Sequence, residues 1–129
     1  MPIPVNQPLP WEIALSAETG ALESGVGVIQ CRVPYKMALT QLPRISVTTA
    51  PTGSTIIVDI NAGATSPATI LSTKLSIDIS EKTSVSASSQ AVLSTTTLGD
   101  DDILTFDIDQ IGSTESGVAL KIIIYGTRL

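Results

Sequence analysis

Apolar and polar residues alternate along most of this chain. The alternation is clearest in three runs, Thr55-Ile56-Ile57-Val58-Asp59-Ile60-Asn61, Lys74-Leu75-Ser76-Ile77-Asp78-Ile79-Ser80 and Ile103-Leu104-Thr105-Phe106-Asp107-Ile108-Asp109. A period of two sends successive side chains to opposite faces of a strand. Each run holds the same kind of phrase, an Asp between two apolar residues: Val58-Asp59-Ile60, Ile77-Asp78-Ile79 and Phe106-Asp107-Ile108. Asp is disfavoured inside strands. Asp59, Asp78 and Asp107 are therefore predicted to mark the wet face of their sheets and to discourage edge-to-edge pairing, with their apolar neighbours facing the core.

The same pattern predicts further strands over Trp11–Ser16, Val26–Val33, Tyr35–Leu42, Arg44–Thr49 and Val118–Thr127, with brief pairing at Ala68–Leu71 and Ala91–Leu93. Pro34 and Pro43 read as breaks. Pro51-Thr52-Gly53, Ala62–Pro67, Ser80-Glu81-Lys82, Leu98–Asp102 and Gly112–Gly117 read as turns or loops, and Ser-rich Thr83–Gln90 as another. No window keeps a helical period. Short strands separated by regular turn signals predict an all-β, single-domain antiparallel β-sandwich, jelly-roll-like, although another Greek-key sandwich shares the pattern. The Asp phrases are unequally spaced, which argues against a solenoid repeat.

Residues 1–10 differ from the rest. Four prolines, Pro2, Pro4, Pro8 and Pro10, exclude a helix there and favour an extended arm ahead of a sandwich at residues 11–129. The arm is either a disordered tail or a segment that lies on a neighbouring subunit or another protein. Ile3, Val5 and Leu9 give it apolar surface to bury, and Trp11 follows as an anchor or as an ordinary core residue. These four are the candidate partner contacts. The first residues lack the positive region of a secretory signal, and the apolar run Val118–Tyr125 is broken by Lys121 and too short to cross a bilayer.

Composition narrows the function. Hydrophobic residues make up 43% of the 129 residues and charged residues only 15%, so some apolar surface is expected between subunits. The net charge of −5 lacks the basic footprint that nucleic-acid binding needs. The single cysteine, Cys31, excludes an intrachain disulfide and reads as a small buried hydrophobe.

Candidate chemistry is sparse. The chain has no histidine, which removes Ser-His-Asp and Cys-His nucleophile pairs and the usual zinc sites. Gly20, Gly25 and Gly27 lack the spacing and the Lys-Ser/Thr of a phosphate loop. Asp100-Asp101-Asp102 with Asp107 and Asp109 is the densest carboxylate group; it lacks the spacing of a calcium loop and reads as a solvated turn. No catalytic residue, cofactor or metal is expected, and an enzyme is the last reading.

Ala50–Asn61, Ile70–Asp78, Glu81–Ser84, Asp100–Asp102 and Phe106–Thr114, together with Ala14–Thr19 and Arg32–Tyr35, resemble a β-rich structural domain of tailed bacteriophages. The resemblance covers residues 14–129 and implies a virion structural role. Combined with a small domain that starts at Met1 and an apolar arm, it leads to the expectation of a capsid decoration (cement) protein. Such a protein would be made in the host cytoplasm and bind the outer surface of the head as a homotrimer on the major capsid protein, without nucleic acid or membrane. The alternatives are a receptor-binding or fibre module, whose loops Ala62–Pro67 or Ser113–Gly117 would contact a host glycan, and a carbohydrate-binding domain.

Overall fold

The computed structural model describes residues 8–129. The strands are β1 (Pro8–Ala14), β2 (Gly25–Arg32), β3 (Met37–Ser46), β4 (Ile56–Gly63), β5 (Ala68–Thr69), β6 (Leu71–Thr73), β7 (Leu75–Ile77), β8 (Val92–Leu93), β9 (Thr97–Leu98), β10 (Ile103–Gln110) and β11 (Lys121–Arg128), with one 3-10 turn at Ser84–Ser86. All pairings are antiparallel. One sheet has the order β1-β11-β3-β9; the other has the order β2-β10-β4-β5, with β7 also on β4. Setting aside the β6–β8 ribbon and β7, the eight remaining strands number 1-8-3-6 in one sheet and 2-7-4-5 in the other, the order of a jelly roll. The expected all-β antiparallel sandwich, jelly-roll-like, is the fold.

The core forms where the period-two patterns of the two sheets meet. Ile122 and Ile124 of β11, Leu39 and Ile45 of β3, Val58 and Ile60 of β4, and Leu104, Phe106 and Ile108 of β10 are buried in one cluster. Each alternates with residues on the outer face, as the apolar halves of the Asp phrases require. Phe106, the only Phe, is the largest of the fully buried side chains.

Several boundaries differ from the sequence reading. β3 runs through Pro43, so the predicted third and fourth strands are one. Its register against β11 passes from Arg44↔Ile123 to Gln41↔Tyr125, two residues opposite one, and this bulge accommodates the proline. β11 begins at Lys121 rather than Val118, because Ala119 adopts a positive φ of 57°. Leu98 is a buried strand residue beside Met37, not the start of a turn.

The predicted arm also changes. β1 starts at Pro8, so Pro8, Leu9 and Pro10 belong to the sandwich. Among the described residues β1 is an edge strand, paired only with β11, from Pro8↔Thr127 to Ala14↔Lys121. The Leu15 N–H donates to the Leu120 carbonyl at 2.8 Å. Alternation along a strand then turns the odd-numbered N–H groups of β1 toward β11 and the even-numbered backbone nitrogens toward the free edge. Both prolines sit at even positions, where a missing N–H costs no ladder bond and blocks further pairing.

Candidate functional site

The outer face of β4 and β10 holds the main charged network. Cross-strand register sets Asp59 opposite Asp107. Asp59 was expected on a wet face, but only 6% of it is exposed, and this corrects the sequence reading. The chain turns back after β4, so β5 pairs with it through Thr69↔Asn61. The Thr69 hydroxyl donates to Asp59 at 2.5 Å, the Ile60 N–H donates at 2.9 Å, and the Lys74 ammonium lies 3.9 Å away. Lys74 also pairs directly with Asp109. Asp78 and Asp107 act similarly. Asp78 accepts the Ser88 N–H at 2.8 Å, and Asp107 accepts the Gly27 N–H at 2.8 Å and the Asn61 amide at 3.1 Å. Asp59 and Asp78 therefore tie down chain segments outside the long strands, while Asp107 links its own strand to the two beside it, β2 and β4.

The Asp109 hydrogen bond raises Lys74 above its ordinary value of 10.5, and the nearby charges of Asp59 and Asp107 add to the rise. Lys121 is raised in the same way by its pairing with Glu18. A lysine raised by folding contributes its full stabilisation below the unfolded value near 10.5 and loses it as pH rises through the higher folded value. Stability is expected to fall above that pH. Lys74→Met is expected to be the less stable protein at neutral pH and to lose less in the alkaline window, so that the two curves of unfolding free energy against pH converge. Parallel curves would contradict this role.

The acidic turn disperses. Asp102 accepts the Gly99 N–H at 2.8 Å, Asp101 lies 4.0 Å from Arg32, and Asp109 is held by Lys74. Among the described residues no group of three or more His, Cys, Asp or Glu is placed to hold a metal ion. Cys31 is half-buried against the core, and burial pushes its thiol upward, away from the reactive thiolate.

Two grooves open on this face. One, of about 470 Å³, runs between Val26, Gln30, Asn61, Pro67, Thr105 and Asp107. The other, of about 480 Å³, is floored by Thr55 and Ile57 and rimmed by Lys74, Ser76, Ser88 and Ser89. Val26, 88% exposed, stands on the β2 bulge where Gly27 takes a φ of 60°. Sequence reasoning missed these grooves, since only the sheet pairing brings residues 26, 61 and 107 together.

Of the four candidate contacts, Ile3 and Val5 lie outside the described residues, and Leu9 lies in β1. Trp11 sits opposite Ile124 and packs, partly buried, against the core. In the other sheet, Ile29 and Cys31 of β2 pair with Phe106 and Leu104 and are likewise partly buried. β3 approaches β7 at one flank of the sandwich, and β1 and β2 end their sheets on the side away from it. Compared with protein-family models, curated proteins and solved structures, the chain matches none of them. No helix of the described residues is long and apolar enough to cross a membrane.

Proposed function

We propose that this is a structural protein of a tailed-bacteriophage virion, a capsid decoration protein on the outer surface of the head. The observation that carries the reading is β1. An apolar, proline-alternating segment leads into a proline-blocked edge strand of a small jelly roll. Ile3 and Val5 of such a segment would need a further surface to bury them, and the sandwich holds the start of β1 fixed. The resemblance of residues 14–129 to phage structural domains supports the same class, and jelly rolls serve capsids repeatedly. Mechanism here is mass action: a protein that binds only the assembled shell stabilises that state. The partners are the major capsid protein and further copies of this chain in a trimer, without nucleic acid, membrane or cofactor. The protein would be made in the host cytoplasm and finish on the virion.

A second reading has one observation in its favour. Thr65 and Pro67, of the segment Ala62–Pro67, line the 470 Å³ groove with Gln30, Asn61 and Asp107. Such amide and carboxylate groups suit a glycan, as in a receptor-binding module. Purified protein mixed with heads assembled without it is expected to cosediment with them. Binding to a glycan array with no binding to heads would favour the second reading.

A further inference from the structure

The strands that end the two sheets are not equally protected. β9 and β5 have two residues each and β7 has three, too short to template a neighbour. β1 carries Pro8 and Pro10 on its free side. β2 has no proline, and beyond its bulge at Gly27 it runs in regular register from Ile29 to Arg32, where among the described residues nothing pairs with its outer side. Its orientation follows from its hydrogen bonds. The Val33 N–H donates to the Asp102 carbonyl at 2.9 Å, and the register continues through Cys31↔Leu104 and Ile29↔Phe106. Ile29 and Cys31 thus bond to β10, while Gln30 and Arg32 turn their backbone N–H and C=O groups outward. Beside this open ladder the core is incompletely covered: Ile29 and Cys31 from β2, and Trp11 and Ile13 from β1, are only partly buried.

The N-terminal sequence has the complementary pattern. Pro2 and Pro4 share the even parity of Pro8 and Pro10. Laid out as a strand, residues 2–7 would donate through the odd N–H groups of Ile3, Val5 and Gln7 and would present proline nitrogens on the other side. Ile3 and Val5 would share one face. Such a segment fills one open edge and closes it to further pairing. The segment's own sheet offers it little: β1 pairs with β11 as far as Pro8↔Thr127, and β11 ends at Arg128. No glycine occurs in residues 1–14 to favour a reversal toward the same molecule's β2.

We infer that the free edge of β2 is the docking site for residues 2–7 of a second copy of this chain, which add as a strand beside Gln30 and Arg32 and cover Ile29 and Cys31. The contact is heterologous, so three copies can close into a ring. It rests on the β2 edge and on the pattern of residues 2–7, and holds whether or not the protein sits on a head.

The test is the mass in solution, by gel filtration with light scattering, of the full chain and two variants. Gln30→Pro blocks the edge while sparing every bond to β10. Ile3→Asp/Val5→Asp disables the segment. The full chain is expected to be oligomeric and each variant monomeric, with an unfolding midpoint close to that of the full chain. An equimolar mixture is expected to form a one-to-one complex, because one variant keeps its segment and the other its edge. If Gln30→Pro fails to fold, Arg32→Pro poses the same question. A monomeric full chain, an oligomeric edge variant, or a mixture that stays monomeric would overturn the inference. An oligomeric segment variant beside a monomeric edge variant would assign the edge to β2 self-pairing and overturn it too.

Discussion

Replacing Phe106 by alanine is expected to destabilise the fold by about 3–5 kcal/mol, the usual cost of emptying a buried aromatic site. Phe106 is fully buried in β10, between Ile29 of β2 and Ile60 of β4. Phe106 sits on a strand held by ladders on both sides, and its cross-strand neighbours Ile29 and Ile60 are branched aliphatics, so the cavity can collapse only partly. Domains of this size have a total stability of about 5–15 kcal/mol, so the variant is expected to be marginal at room temperature. Urea titration checks this: the midpoint should fall with little change in slope. Phe106→Leu, which keeps most of the volume, should cost less than half as much. A loss under about 1 kcal/mol for Phe106→Ala would mean that the two sheets do not close on this side chain.

Removing residues 1–7 is expected to leave the unfolding midpoint nearly unchanged and to abolish retention on heads. The cut falls before Pro8, so every described strand pair survives, β1 with β11 included. Cutting at Pro10 instead would also remove three register pairs, Pro8↔Thr127, Leu9↔Gly126 and Pro10↔Tyr125, and would confuse loss of fold with loss of binding. If the segment clasps copies together, its loss turns a multivalent attachment into single weak contacts, a drop of about 100-fold or more in avidity. Cosedimentation with heads reads this directly. Full retention of the truncated protein would show that the sandwich alone makes the attachment.

The sheets were legible in the sequence because period-two patterning dictates which residues can face a core. Val58, Ile60, Phe106 and Ile108 fell where the pattern put them. The role of Asp59 was not legible. Alternation separates the two faces of a strand, but it does not say what crosses the outer one. Thr69 and Lys74 cover Asp59 because the chain reverses after β4. Pro43 misled for a related reason: a bulge lets a strand continue through a proline, and the bulge depends on β11. The spacing of the N-terminal prolines was visible from the start. Its meaning as edge protection required the orientation of β1, fixed by a hydrogen bond between residues distant in sequence. The β2 edge was likewise hidden, since a strand's place in its sheet is set by topology and not by its own residues.

Decoration of a phage head by this jelly roll is tested most directly by cryo-electron microscopy of the virion. The expected map shows the sandwich repeated over the outer shell, in clusters of three at equivalent positions on the capsomers, with residues 1–7 traced across a contact between subunits. A map with the protein confined to the tail or to a single vertex, or absent from the shell, would contradict the claim.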